Sequence, residues 1–255
     1  YSWVTFLQFY LANKDKAFLK NAFGSYISPE LIDEMYSNGE APKLGGDSGV
    51  RTAFFTDIQS FSTFSEKLSP TLLVELLNEY LTAMTDILLH EKGTLDKYEG
   101  DAIIAFFGAP MPLEDHAARA TRVAGKMQEK LLDLRKKWVD EGDKWPDIVK
   151  NMRMRVGINT GEIVTGNMGS RDRMNYTMMG DSVNLAARLE EAAKQYGVFN
   201  QISQYTIEAI EEPNKEFVIR ELDTILVVGK TEPVTTYELM SLTREHNKND
   251  ELLKG

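Results

Sequence analysis

Apolar residues recur at helical spacing in two long segments of the chain. One segment begins at Ser69-Pro70, a pair typical of a helix start, and ends near Gly93. The other segment covers 114–141. The spacing predicts two amphipathic helices that each bury one face. Their apolar positions are Leu72, Leu73, Leu76, Leu77, Tyr80, Leu81, Met84, Ile87 and Leu88 in the first, and Ala117, Ala120, Val123, Ala124, Met127, Leu131, Leu134 and Trp138 in the second.

Shorter apolar runs predict the strands. A strand is expected at about 51–56, a hairpin at 95–107, and strand, loop and strand at 153–168. A further helix is predicted at 181–196 and a hairpin-like pair near 217–240. The central order of strand, helix, hairpin, helix and strand predicts an α+β fold. We expect a ferredoxin-like βαββαβ core, with its helices on one face of an antiparallel sheet.

The N-terminal part of the chain differs in pattern from this core. Residues 1–36 are predicted to be helical, and 37–49 has turn composition throughout, which predicts a linker. We therefore divide the chain into a helical arm and linker at 1–46, one domain at 47–243 that carries the candidate chemistry, and a polar tail at 244–255.

The first residues of the arm are rich in aromatic side chains and are followed by Lys14, Lys16 and Lys20. This order is typical of the cytoplasmic edge of a transmembrane helix, which predicts membrane attachment through upstream sequence and a cytoplasmic location for the domain. An amphipathic helix that packs on the domain or on a second copy explains the segment equally well. Since the chain begins with Tyr1, we expect it to be a fragment of a longer protein.

Composition narrows the functional classes. The chain has 255 residues, of which 42% are hydrophobic, a length that fits one large domain with an appendage. Lys and Arg total 29 against 39 for Asp and Glu, and the net charge of −10 disfavours nucleic acid as a partner. The absence of cysteine excludes disulfides and thiolate metal sites.

Two aspartates stand where an apolar run meets a tight turn. Asp57 follows the run 54–56, and Asp101 comes just after the expected hairpin tip at Glu99-Gly100. Two carboxylates at one end of a sheet are hard oxygen ligands suited to a divalent metal. An Asp that leaves a strand is more often a turn former or a helix cap. The pair by itself leaves both interpretations open.

Three further polar residues stand out. Arg155 lies in a predicted strand, where a solvated edge strand is the alternative interpretation. Asn184 and Arg188 are four residues apart and therefore share one face of a predicted helix. A donor and a cation so placed suit a centre on which negative charge develops. A solvated helix face explains the same pair.

Four blocks, in this order, resemble the catalytic domain of the class III nucleotidyl cyclases. The resemblance runs from about Arg51 to Leu239. The blocks are FFTDIQSFS at 54–62, KYEGDAII at 97–104, MRVGINTG at 154–161 and YTMMGDSVNLAARLE at 176–190.

The resemblance implies a metal site and a phosphate site. Asp57, Asp101 and the Ile58 carbonyl are implied to hold two divalent cations, Mg²⁺ or Mn²⁺. Relatives often carry Gly at the position of Ser60, within the turn that holds the β- and γ-phosphates. The residues implied to contact the triphosphate are Phe61 and Ser62 in that turn, Arg155 and Lys230.

The resemblance also implies the substrate. Lys97 is implied to donate to adenine N1, and Thr177, where many relatives carry Asp, to accept from adenine N6. Guanylate cyclases of the family carry an acidic residue at the Lys97 position, so the implied reaction converts ATP to cyclic AMP. Asn184 and Arg188 are implied to act on the ribose and on the transition state.

The implied assembly is a head-to-tail homodimer with two composite sites. One protomer supplies Asp57, Asp101 and Arg155, and its partner supplies Lys97, Thr177, Asn184, Arg188 and Lys230.

Two alternatives stay open. Another palm-like nucleotidyl transferase, such as a diguanylate cyclase, would lack the helix with Asn184 and Arg188. A catalytically inactive homologue would only bind nucleotide and dimerise. Degenerate members lose the metal carboxylates or the Asn/Arg pair, and this chain keeps all four residues.

Overall fold

The structure, a computed structural model, describes residues 43–170, 173–226 and 233–243. These residues form one sheet of eight strands with helices packed on it. No helix in this part of the chain is long and apolar enough to cross a membrane. The predicted helices at 1–36 and the predicted tail at 244–255 lie outside the described residues.

The strands and helices alternate along the chain. The strands are β1 (Gly45–Ile58), β2 (Thr94–Glu99), β3 (Ala102–Phe107), β4 (Met154–Gly169), β5 (Met174–Met179), β6 (Asn200–Ser203), β7 (Phe217–Ile225) and β8 (Val234–Leu242). The helices are α1 (Phe61–Ser65), α2 (Pro70–His90), α3 (His116–Asp140), α4 (Asp147–Lys150), α5 (Asp181–Tyr196) and α6 (Gln204–Glu208), with short 3₁₀ turns at Gly142–Lys144 and Pro213–Lys215.

The strand order confirms the predicted α+β class and its ferredoxin-like core. β1 lies between β3 and β4, antiparallel to both, and β2 pairs with the far side of β3. Beyond β4 the sheet continues through β6, β8 and β7. The sheet is mixed rather than wholly antiparallel, because β6 runs parallel to β4. β5, which the sequence pattern did not predict, pairs with the second half of β4.

Helices cover both faces of the sheet. Phe54 of β1 packs into the core formed with α2 and α3, whereas its neighbour Ala53 packs with Val183 and Ala186 of α5. Adjacent residues of a strand point to opposite faces, so α5 lies on the face opposite to α2 and α3. The prediction of helices on one face is therefore right for α2 and α3 and wrong for α5. The predicted apolar stripe of α3 is buried throughout.

β4 is one continuous strand, so the predicted strand, loop and strand at 153–168 is wrong. Its glycines permit close packing instead of a turn. A Cβ at Gly157 would lie 2.2 Å from the carbonyl oxygen of Ala186 in α5, and one at Gly166 would lie 2.1 Å from the carbonyl oxygen of Gly45. Any larger side chain at Gly157 would push α5 away from the sheet.

β1 begins at Gly45, so the predicted linker 37–49 is wrong in its C-terminal part. Gly45–Gly49 lie opposite Ile163–Asn167 of β4 as a regular antiparallel pair. Pairing with a neighbouring strand overrides the local turn composition here, since strand formation depends strongly on tertiary context.

Candidate active site

The predicted carboxylate pair comes together at one end of the sheet. Asp57 lies near the end of β1, and Asp101 follows the β2–β3 hairpin tip, where Gly100 has φ of +65°. The two carboxyl groups lie close enough that each influences the pKa of the other. The backbone N–H of Ile58 donates to Asp101 Oδ2 at 2.9 Å. Because β1 and β3 pair in antiparallel orientation, the C-terminal end of β1 lies beside the N-terminal end of β3, and both aspartates lie at the same end of the sheet.

Both carboxyl groups of the pair are harder to ionise than a solvent-exposed aspartate, mainly because they are partly buried. Burial raises the pKa of Asp101 to about 6. The hydrogen bond from the Ile58 N–H opposes this rise, whereas the charge of Asp57 adds to it. Burial also raises the pKa of Asp57, and the nearby Arg155 guanidinium opposes that rise. Two partly desolvated carboxylates with hard oxygen donors fit a divalent cation.

The ligand set remains small. Within the described ranges, no three acidic, histidine or cysteine side chains gather as a metal site. The two carboxylates and the predicted Ile58 carbonyl would leave room for oxygen ligands from a substrate. Mg²⁺ is commonly bound in this way, by one or two carboxylates together with phosphates.

The raised pKa of Asp101 predicts how metal-free stability depends on pH. The folded protein keeps this proton up to about pH 6, whereas the unfolded chain releases it near 3.8. The folded state therefore binds more protons in that window, and its free energy of unfolding falls as pH rises through it. With chelator present, the free energy of unfolding of Asp101→Asn should be about 1–3 kcal/mol higher than that of the wild type near pH 8. Near pH 4 the two free energies should be equal. Urea denaturation at both pH values measures this. A difference that does not change with pH would contradict the expectation.

Arg155 lies opposite Asp57 in the β1–β4 register. Its guanidinium donates to Asp57 Oδ2 at 2.5 Å and to Glu190 Oε1 at 2.8 Å, and its side chain is only 12% exposed. Since β4 is an interior strand, the alternative of a solvated edge strand is wrong. Glu190 is a site neighbour that the sequence analysis missed. Its only signal was its place at the end of the matching block at 176–190.

The predicted phosphate turn directly follows β1. Ser60 has φ of +61°, in the left-handed region that glycine adopts most readily. Ser60 therefore keeps the conformation expected of the Gly that relatives often carry there. Phe61 is partly buried against the core of α2 and α3, while Ser62 is exposed. The backbone N–H of Gln59 donates to the Arg153 carbonyl at 2.9 Å and ties this turn to the start of β4.

Lys97 lies beyond a β-bulge in β2. Leu95 is opposite Ala105 and packs towards α2 and α3, whereas Lys97 is opposite Ile104, which packs on the other face with Met178 of β5. Asp96 between them has no partner in β3. The bulge thus directs Lys97 to the face where β5 lies.

Asp96 joins the two predicted base-contacting residues. The Thr177 hydroxyl donates to Asp96 Oδ2 at 2.5 Å, and Lys97 Nζ lies 4.0 Å from the other carboxylate oxygen. The Asp96 side chain is 3% exposed. Burial raises its pKa, and three groups oppose that rise: the Thr177 hydroxyl, the Lys97 charge and the backbone N–H of Met178. The sequence analysis missed Asp96, because nothing in the local pattern indicates a bulge.

Asn184 and Arg188 lie on the predicted helix, which is confirmed as α5. Asn184 is exposed and Arg188 partly exposed, while Val183 and Ala186 of the same helix are buried against the sheet. Among the described residues, no hydrogen bond or ion pair links Asn184 or Arg188 to the carboxylate pair. Lys230 lies outside the described residues.

Comparison with known proteins places this geometry in a family. Residues 48–241 match the family described as Adenylate and Guanylate cyclase catalytic domain. Adenylate cyclase 1 of Rhizobium meliloti (strain 1021) is 32% identical over 231 residues, which are 89% of this chain and 33% of that protein. The chain therefore spans about a third of the length of this curated relative.

Two solved structures resemble about four fifths of this chain. The adenylyl cyclase CyaB from P. aeruginosa is 34% identical with a TM-score of 0.68, over 78% of this chain and 97% of that chain. The guanylyl cyclase Cya2 is 32% identical with a TM-score of 0.69, over 80% of this chain and 98% of that chain. The chain is almost equally identical to an adenylyl cyclase and to a guanylyl cyclase, so overall identity does not distinguish adenine from guanine. The base preference has to be argued from particular residues of this chain.

Proposed function

Because the chain belongs to the family of adenylate and guanylate cyclase catalytic domains, we propose that it is an adenylate cyclase that converts ATP to 3′,5′-cyclic AMP and pyrophosphate. The observation that carries this choice is that Lys97 and Thr177 lie on the same sheet face and both approach Asp96. We further propose that the domain is the output part of a larger signalling protein, since the chain spans only about a third of the length of its Rhizobium relative.

Asp57, Asp101 and the Ile58 carbonyl would hold the divalent cations. When bound, two such cations activate the ribose 3′-hydroxyl and neutralise the leaving phosphates. The support from this chain is the adjacency of the two carboxyl groups and the raised pKa of each. Both features are those of a site whose charge is balanced by a ligand.

The triphosphate would lie beside these carboxylates. The Arg155 guanidinium is already held there by Asp57 and Glu190, so little side-chain entropy is lost when it turns to a phosphate. Phe61 and Ser62 begin α1 directly after the left-handed Ser60 and would line the phosphate site. Lys230, which precedes β8 in the sequence and lies outside the described residues, would complete the set.

The ribose and the transition state would be contacted by Asn184 and Arg188. These side chains are on the outer side of α5 and make no link to the carboxylate pair of their own chain. A head-to-tail homodimer brings the α5 of one protomer to the β1 end of the other. Two-fold symmetry then gives two identical composite sites.

The alternatives make different predictions. A guanylate cyclase of this family would carry an acidic residue at position 97, and this chain carries Lys97. An inactive homologue would have lost candidate residues at the carboxylate pair or on α5, and all four are present.

The deciding experiment is an assay of the purified protein with ATP and with GTP, under Mg²⁺ and under Mn²⁺, with product identified by mass. We expect cyclic AMP from ATP and at least about tenfold less cyclic GMP from GTP, because a buried mismatched polar contact is worth that factor or more. Cyclic GMP as the main product would overturn the base assignment. Nucleotide binding without either product would favour the inactive homologue.

A further inference from the structure

A threonine hydroxyl does not by itself distinguish adenine from guanine. It carries one hydrogen to donate and lone pairs that accept. A freely rotating Thr177 can accept from the 6-amino group of adenine or donate to the 6-oxygen of guanine. Selection therefore requires a neighbour that fixes the direction of the hydroxyl.

Asp96 has the geometry of such a neighbour. An ionised carboxylate only accepts hydrogen bonds, and the Thr177 hydroxyl donates to it at 2.5 Å. The Asp96 side chain is almost completely shielded from solvent, so water offers little competition for that hydrogen. With its hydrogen committed to Asp96, Thr177 presents only lone pairs to a bound base.

The bulge in β2 places Asp96 there. Leu95 faces the α2 and α3 core and Lys97 faces the β5 side, so the unpaired Asp96 is an extra residue between two correctly placed neighbours. Its carboxylate reaches Thr177 and also lies 4.0 Å from Lys97 Nζ. One buried charge therefore contacts both base-contacting residues.

We propose that Asp96 is a positioning residue that fixes Thr177 as a hydrogen-bond acceptor and thereby makes the site select purines with a 6-amino group. The proposal rests on the proposed function and extends it to a residue that does not itself contact the base. It assigns base selection to three side chains rather than to Lys97 and Thr177 alone.

The test compares ATP with purine riboside 5′-triphosphate, which lacks the 6-amino group. The wild-type protein should prefer ATP by about tenfold or more in kcat/KM, because the analogue leaves the Thr177 acceptor unpaired. Asp96→Asn should bring that preference to within about threefold of unity, since its amide N–H₂ can donate to Thr177 and reverse the hydroxyl. If Asp96 had a merely structural role, Asp96→Asn would lower kcat/KM for both triphosphates by the same factor, and the ratio of the two kcat/KM values would not change.

A second variant separates orientation from folding. Thr177→Asp supplies an acceptor that no neighbour needs to orient. The double variant Asp96→Asn with Thr177→Asp keeps the charge of the pair and should regain the preference for ATP. If Asp96→Asn alone does not fold, this double variant still tests the proposal. A double variant that folds and turns over substrate without preferring ATP would overturn it.

The matched control is Asp223→Asn. Asp223 accepts a hydrogen bond from the Tyr196 hydroxyl at 2.8 Å on the exposed surface, the same chemistry outside the site. Its ATP preference should equal that of the wild type. If the wild type forms no cyclic AMP at all, the proposed function fails. If the wild type is active and Asp96→Asn keeps the full preference, only this inference fails.

Discussion

Replacing Asp57 or Asp101 by Asn should lower cyclic AMP formation by at least about a hundredfold, because each change removes a charged ligand whose contribution to the transition state is several kcal/mol. Asn keeps the size of the side chain, and its oxygen at position 101 can still accept the Ile58 N–H. The fold and the assembly should therefore persist. Turnover of ATP under Mg²⁺, with circular dichroism and sedimentation on the same samples, measures the effect.

The matched control for this pair is Asp133→Asn. Asp133 is an exposed carboxylate on α3, where it pairs with Lys136 and forms no hydrogen bond or ion pair with either aspartate of the pair among the described residues. Its replacement should leave turnover at the wild-type rate. Activity close to wild type in either Asp57→Asn or Asp101→Asn would refute the assignment of the pair as the metal ligands.

Mixing two inactive variants should restore activity. Asp57→Asn and Arg188→Ala should each be inactive alone, since both composite sites of each homodimer carry one lesion. In a heterodimer one site carries both lesions and the other carries none. Random exchange at equal amounts should therefore return roughly a quarter of the wild-type sites. The restored cyclic AMP formation should appear at the rate of subunit exchange.

A second mixture serves as the control for the first. Asp57→Asn and Asp101→Asn lie in the same half of the site, so every site in every dimer of that mixture lacks one carboxylate. This mixture should stay inactive. Recovery there would show that the carboxylates do not belong together. Absence of recovery in the first mixture, with exchange demonstrated by labelled subunits, would show that α5 does not complete the partner's site.

Much of the fold could be predicted because periodicity reports which face is buried. The stripes of α2 and α3 are long enough that no strand pattern competes with them, and both helices are found as expected. The carboxylate pair could be predicted for a related reason. Asp57 follows an apolar run and Asp101 precedes one, each at a turn, and turns at one end of a sheet lie close together.

The remaining features depend on contacts that are distant in sequence. Gly157 and Gly166 have the composition of a turn, and only the approach of α5 and β1 shows that they lie within one strand. Glu190 reaches Arg155 only because Gly157 lets α5 lie against β4. Ser60 gives no local sign of its left-handed backbone. For the two glycines and for Glu190, the deciding partner lies on another element.

The bulge in β2 also has an evolutionary consequence. One inserted residue ordinarily turns every position beyond it to the opposite face of a sheet. Here the bulge accommodates the extra residue. Leu95 and Lys97 are two residues apart in β2, yet they lie opposite the consecutive residues Ala105 and Ile104 of β3. A lineage can therefore gain or lose Asp96 by a single codon insertion or deletion without repacking the strand. Nucleotide preference in such a lineage would change through chain length as well as through substitution.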